Sequence, residues 1–369
     1  MVKVLFVTEP LVKNSGVTSV VLNIIRNIND KTIHIDLLTF PGGDQNVEEE
    51  LASIGCKLSY LKCNKLSNLF AIFKECDSFF RSNYYDIVHS HFNQIDYVLF
   101  MAAKKNGINN LISHSHNSKL SDSKFKAIRN RILFLGVPRL ATVWAACSTV
   151  AGECLFGSTF NSSEKKYIIH NGVDCKKYRY DSKNRVLIRE EFGYSDSDIV
   201  IGHVGGFREQ KNHEFLIRLF KELHVRNSNY KLLLVGDGKL KESIKQQVIQ
   251  YGLTQAITFA GTRDDVSTIL SGIDLFILPS FYEGLPVVGI EAQANGLACV
   301  FSDTISREVD LASKNYFISL KEGVTTWCDR IFDIDYSHDM ACAELVVNKG
   351  YDITMECKRL ASFYHELTK

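Results

Sequence analysis

The segment FYEGLPVVGIEA, residues 281–292, holds two carboxylates, Glu283 and Glu291, separated by seven uncharged residues. Pro286 follows Gly284 and Leu285, and proline suits the first helical position because its missing N–H would be unpaired there anyway. The expected helix runs from Pro286 to Gly296, so its unpaired N–H groups and positive dipole end are offered to an anion. Glu283 stands just before that end, and Glu291 lies about a turn and a half inside, among Val288, Ile290, Ala292 and Ala294. An acid in such surroundings is part-buried and needs donors, which ribose hydroxyls would supply. The bland alternatives are a dipole-stabilised acid at Glu283 and a solvated helix residue at Glu291.

GHVGGFREQKNHEFL, residues 202–216, is a second candidate. Gly205-Gly206 permit close backbone approach, and Arg208 and Lys211 follow before the next helix, placed to neutralise a diphosphate. By itself this reads equally as an ordinary strand–helix turn with exposed charges. In TEPLVKNSGVTSVV a single glycine, Gly16, opens a helix after the first strand; it lets a phosphate approach but falls far short of a dinucleotide fingerprint. Two histidine pairs, His89/His91 and His114/His116, fall at strand ends, and alternation puts both members of each pair on one strand face. A metal site is disfavoured, because no carboxylate cluster accompanies them; structural hydrogen bonding and substrate contact stay open. Residues 119–139 carry Lys119, Lys124, Lys126, Arg129, Arg131 and Arg139 against one acid, Asp122, with Leu133, Phe134 and Leu135 as apolar anchors. They read either as a basic amphipathic helix on an anionic membrane surface or as a solvated helix face.

The elements that must position these residues alternate between short apolar runs and amphipathic stretches. Strands are expected at 2–8, 33–40, 57–61, 86–90, 110–114 and 142–147, with helices at 17–28, 69–80 and 96–105 between them. The pattern restarts at 167–174 and continues with strands at 198–206, 231–238, 256–262, 274–280 and 297–303, and a helix at 213–226. Continuous apolar strands alternating with helices mean parallel, doubly wound sheets. The expectation is an α/β chain of two Rossmann-like domains, 1–165 and 166–350, whose loops face a common cleft. A last helix within 351–369 crosses back to the first domain.

The chain has 369 residues, 45% hydrophobic, enough for two cores. Its net charge of +1 argues against a nucleic-acid binder, although residues 1–165 carry +4 and the remainder −3. None of the ten cysteines forms a CxxC pair or shows metal-ligand spacing, which fits reduced thiols in a cytoplasm. The opening MVKVLFVTEP is too short for a signal segment, and no apolar run reaches membrane-spanning length.

Taken together these residues resemble the retaining glycosyltransferases of family 4, which have the GT-B fold. The resemblance covers nearly the whole chain, and its most specific mark is the Glu–seven residues–Glu motif in EGLPVVGIE. HNGVD at 170–174, GGFREQKNHEFL, LLLVGDG, FAGTRDDV and LPSFYEGLP support it, and the wording is most like enzymes of capsule and exopolysaccharide assembly. The resemblance implies transfer of a sugar, UDP-linked by preference, to a glycan or lipid-linked acceptor, with retention and with neither metal nor cofactor. It implies a cytoplasmic enzyme working at the inner face of the membrane. Glu291 would hold the ribose, Glu283 the donor sugar, and the backbone from Gly284 through Leu285 and Pro286 to Val287 the sugar and phosphates. Lys211 matches the diphosphate lysine and His116 the histidine near the reacting sugar, with His114 and Asn117 beside it as acceptor contacts. Arg263 falls where the base is held. The motif's usual arginine is Gly206 here, so Arg208 is the candidate substitute, and Ser15-Gly16 stands where paired glycines are common.

Two other readings use the same architecture. A nucleotide-sugar epimerase would isomerise its donor without an acceptor, and a non-catalytic module would bind the donor without turnover. A nicotinamide oxidoreductase is disfavoured, because neither half shows GxGxxG after its first strand.

Overall fold

The computed structural model describes residues 1–12, 15–63, 66, 68–119 and 124–369, and omits the side chains of Lys124 and Lys126. Asp122 of the basic segment therefore lies outside the described residues. Among the described residues the first sheet has seven strands: β1 (Val2–Val7), β2 (Ile33–Thr39), β3 (Leu58–Tyr60), β4 (Ile87–Ser90), β5 (Asn110–Ser115), β6 (Val143–Ala146) and β7 (Lys166–Ile168). They are all parallel, in the order β3-β2-β1-β4-β5-β6-β7. The second sheet holds β8 (Ile199–Val204), β9 (Tyr230–Val235), β10 (Ile257–Gly261), β11 (Leu275–Leu278), β12 (Ala298–Ser302) and β13 (Asn315–Ile318). It is parallel too, in the order β10-β9-β8-β11-β12-β13. In both sheets the order reverses beside the unit's first strand, and such a switch point leaves a crevice beyond the carboxyl ends of the strands. Helices on both faces bury these strands: β11 and β12 are buried at every position, and β1 at every position but Lys3.

The chain divides into one unit of residues Met1–Gly172 with Ile353–Lys369 and another of Val173–Asp352. The boundary falls seven residues later than the expected 165/166, because β7 pairs with β6 rather than opening the second sheet. Its sequence, KYI, is apolar enough for either sheet; the pairing is a long-range choice. The glycine of HNGVD has a local reason. A Cβ on Gly172 would lie 2.8 Å from the Ile353 Cα where the chain returns, and next door the Val173 N–H donates to the Tyr351 carbonyl at 2.9 Å. The last helix, Ile353–Leu367, belongs to the first unit and buries Cys357, Leu360 and Tyr364 there.

The basic segment is not one helix. It forms Lys124–Leu133 and Val137–Leu140, broken at Gly136, whose φ of +134° and contact with the Tyr97 ring exclude a side chain. Of the expected anchors, Phe134 is buried and Leu133 half-buried, so they face inward; the outward apolar residues are Phe125, Ile128, Ile132 and Leu135. β13, at the sheet edge, has no counterpart in the expected strands.

Candidate functional site

In the second unit, β8 ends at Val204 and the chain turns through Gly205-Gly206 against the GDG loop that follows β9. Gly205 N–H donates to the Val235 carbonyl at 2.9 Å, and Phe207 N–H to the Asp237 carbonyl at 3.0 Å. A Cβ on Gly236, at φ +134°, would meet the Gly205 oxygen at 2.2 Å, so this contact requires glycine. Gly205 has a further role. The Lys211 stem lies across it, 3.1 Å from where a Cβ would be, and Lys211 Nζ reaches Glu283 Oε1 at 2.8 Å. Ser280 Oγ donates to the same oxygen at 2.8 Å, and Gln210 Nε2 donates to Oε2 at 3.2 Å. The pair is largely buried, with 16% of the Lys211 side chain and 9% of the Glu283 side chain exposed. Behind Lys211, Asn212 adopts the left-handed conformation at φ +55° and donates from Nδ2 to the Pro279 carbonyl at 3.1 Å. Asn212 is the one non-glycine residue with positive φ among the described residues, and strain of this kind persists where neighbours hold it in place.

Arg208 is exposed and leans over Gly206, with its Nε 3.4 Å from the point a Cβ there would occupy. The position of the missing arginine is thus bordered by another guanidinium. Glu283 leads through buried Gly284, Leu285 and Pro286 to the helix Val287–Ala294. Pro286 is the residue before the helix rather than its first member, and having no N–H it gives an anion nothing. Glu291 sits on this helix, half-buried. Burial pushes its carboxyl up to about 7, against the opposing effects of a hydrogen bond from Tyr178 and the charge of Lys177. Asp174 caps the short helix Cys175–Tyr178 through the N–H groups of Lys176 and Lys177, which places Tyr178 beside Glu291. Arg263 is committed elsewhere: it donates to both oxygens of Asp265, each at 2.8 Å, and to Glu191 at 2.6 and 3.1 Å.

In the first unit Gly16 begins the helix Gly16–Asn27, and a Cβ on it would meet nothing within 4 Å, so no described contact demands a glycine there. The four histidines form a stacked cluster across β4 and β5. His89 and His91 lie 4.4 Å apart, and His114 and His116 4.1 Å, between ring centroids. His89 Nε2 pairs with His114 Nδ1 at 3.1 Å, His91 Nδ1 with His116 Nε2 at 2.9 Å, and His89 Nδ1 with the Tyr364 hydroxyl at 2.7 Å. Burial drives all four below the ordinary histidine range, His89 to about 3 and His116 to about 4. A pocket is lined by Glu9, His91, His116, Asn117, Asn130 and Phe134. His116 and Asn117 therefore face usable space, whereas His114 is fully buried behind them and does not line it.

Not every member of these sites is legible in the sequence. Gln210 and Asn212 flank Lys211 in the quoted motif and were legible as neighbours. Ser280 and Tyr178 reach their carboxylates only through the fold, and Tyr364 reaches His89 across 275 positions.

Two Rossmann-like units, one of them carrying a lysine–glutamate pair ahead of a helix, define the GT-B class of sugar-transferring enzymes. A solved structure of Anabaena HepE in complex with UDP and glucose superimposes with a TM-score of 0.82 at 17% identity, over 99% of this chain and 100% of that one. Residues 14–177 match the family described as Glycosyltransferase Family 4, and residues 184–318 match Glycosyl transferases group 1. The putative glycosyltransferase EpsF of Bacillus subtilis is 31% identical over 325 residues, 86% of this chain and 83% of that protein. The UDP-Gal:alpha-D-GlcNAc-diphosphoundecaprenol alpha-1,3-galactosyltransferase of Escherichia coli is 24% identical over 382 residues, 96% and 94% of the two chains. The chain belongs to glycosyltransferase family 4.

Proposed function

We propose that this glycosyltransferase moves a hexose or N-acetylhexosamine from a UDP-sugar to a glycan or lipid-linked acceptor in surface-polysaccharide synthesis, with retention and without a required metal. The observation that carries the reading is the buried Lys211–Glu283 pair laid over Gly205, with Glu291 on the helix that follows. Lys211 and Arg208 supply the positive charge that a departing diphosphate needs. Glu291 takes the ribose hydroxyls and Glu283 the hydroxyls of the donor sugar. Both Glu283 oxygens already accept hydrogen bonds, which favours a binding role over that of a nucleophile. In the step itself the bond from the anomeric carbon to the diphosphate oxygen breaks, the acceptor oxygen bonds to that carbon on the same face, and its proton passes to the leaving phosphate oxygen. His116 and Asn117 offer the polar contacts of the first unit's pocket to the reacting sugar and its acceptor. The likeness to the Escherichia coli galactosyltransferase, whose name gives a UDP-sugar donor and a diphosphoundecaprenol-linked acceptor, supports both a UDP donor and a lipid-linked acceptor.

The test is UDP release by the purified chain from a panel of UDP-sugars, with and without polyprenyl-diphosphate sugars, in EDTA, with the product anomer read by NMR. Acceptor-dependent release with retention is expected. An isomerised donor, an inverted product, or activity abolished by EDTA would each overturn the corresponding part of the reading.

Among the described residues no helix is long and apolar enough to cross a membrane. We infer a peripheral contact instead. Phe125, Ile128, Ile132 and Leu135 are all exposed at helical spacing on and just after the helix Lys124–Leu133, beside the exposed Arg129 and Arg131. Flotation with vesicles should rise with anionic lipid content and fall for Phe125→Ser/Ile128→Ser; flotation indifferent to lipid charge would remove this contact.

A further inference from the structure

The histidine cluster holds more than the transfer reaction uses. Ring nitrogens of His89, His91 and His114 lie within 4.8 Å of one another, and all three side chains are buried. His91 Nε2 and His114 Nε2 are buried with no hydrogen-bond partner among the described residues. A buried polar atom without a partner costs roughly 1–3 kcal/mol, and here two occur in adjacent rings whose centroids are 5.1 Å apart.

One assignment of the ring protons makes both atoms equivalent. His114 Nδ1–H donates to His89 Nε2, His89 Nδ1–H donates to the Tyr364 oxygen, and His91 Nδ1–H donates to His116 Nε2. The Nε2 atoms of His91 and His114 are then bare lone pairs. Neutral imidazole with its second nitrogen fixed by a hydrogen bond is the form in which histidine binds transition metals.

We propose that His91 and His114, oriented by His116 and His89 respectively, bind a borderline transition-metal ion of the Zn²⁺ class through their Nε2 atoms. Zinc–imidazole bonds of about 2.0–2.1 Å put tetrahedral ligands roughly 3.4 Å apart, a span that rotation of these two rings, 5.1 Å apart between centroids, must supply. His91 also lines the first unit's pocket, which is the side from which an ion would approach. With no carboxylate among these ligands the site retains the ion's full charge, which fits a reversible site rather than a structural one. The proposal rests on the cluster's geometry and not on the transfer reaction, which proceeds without the ion.

The test uses the full chain stripped with EDTA and then dialysed. Titration with Co²⁺, read by visible absorption, and equilibrium dialysis against Zn²⁺ should each show one ion per chain. His91→Gln and His114→Gln should abolish it. Removing an orienting ring, in His89→Gln or His116→Gln, should weaken it roughly 10–100-fold, and His365→Gln, beside Asp30 at the surface, should leave it unchanged. Should the variants fold poorly, ¹⁵N NMR of histidine-labelled wild-type chain decides: Zn²⁺ should move two Nε2 resonances. An absent stoichiometric ion, binding that survives both His91→Gln and His114→Gln, or Nε2 resonances unmoved by Zn²⁺ would overturn the site.

Discussion

Gly206 marks the one place in the diphosphate motif where the chain departs from the family pattern, and the structure makes that departure testable. Gly206 is not among the residues with positive φ, and a Cβ there would make ordinary contacts with Arg208 Nε at 3.4 Å and the Asp237 carbonyl oxygen at 3.5 Å, so a side chain is admitted without backbone strain. If Arg208 performs the missing duty, Arg208→Ala should weaken UDP binding roughly 10–100-fold, the worth of a charge-assisted hydrogen bond. Gly206→Arg on that background should restore most of it, and calorimetric titration of both variants checks the pair. An Arg208→Ala chain that binds UDP as well as wild type would show that Arg208 only borders the site. Lys211 carries a different liability. Removing it leaves the buried Glu283 carboxylate without its cation, so Lys211→Ala should cost about 3 kcal/mol of stability in chemical denaturation. It should also cost about 10²–10³-fold in turnover, the usual loss for one charge-stabilising donor. Restoring neutrality with Lys211→Ala/Glu283→Gln should recover stability but not turnover, which separates the two roles.

At the scale of elements, the helix Val287–Ala294 couples binding to protons. Glu291 titrates at about 7 in the folded chain against an ordinary 4.5. Between those values the folded state holds the proton more tightly than the unfolded one, so this group favours the fold at low pH and that contribution is lost as pH rises through the window. Ribose hydroxyls donate to the ionised form, so UDP binding near pH 6 should release a proton, and affinity should rise from pH 6 to 8. Calorimetry in two buffers of different ionisation heat measures that proton, and Glu291→Gln should abolish the release. The same helix shows what a sequence can and cannot say. Its existence and both acids were legible from the glutamate spacing and the flanking Pro286 and Gly296, because those signals are local. Its start was misjudged by one residue, since the rule for proline does not distinguish cap from first turn. The basic segment carried its break in plain view as GVPR, yet six cations over twenty-one positions outweighed a glycine whose φ of +134° only the fold reveals. β7 was assigned to the wrong sheet because strand pairing is decided by partners far away in the chain. The histidine stack was half legible: alternation predicted that each pair would share a face, but not that the two strands would set the pairs side by side.

For the whole molecule, the consequential finding is that the chain returns to its first unit at Ile353. Tyr364 and Leu360 are fully buried there, Cys357 Sγ donates to the Ile24 carbonyl at 3.7 Å, and Tyr364 bonds His89. Glu356, 2% exposed, accepts from the His170 backbone N–H at 3.1 Å and from Arg359 at 2.6 Å, fastening the helix to the end of the first unit. Burying Ile353, Leu360 and Tyr364 contributes about 1.5–3 kcal/mol each, together comparable to the whole stability margin of a domain. The second unit, Val173–Asp352, is contiguous in the chain and does not include this helix. Scanning calorimetry of the full chain should therefore resolve into two transitions, and a chain ending at Asp352 should keep the second unit's transition and lose the first's. Limited proteolysis of that shortened chain should leave a fragment beginning near Val173. If instead the first unit's transition survives the cut, the last helix is an accessory, and its buried tyrosine and glutamate contribute far less than their surroundings imply.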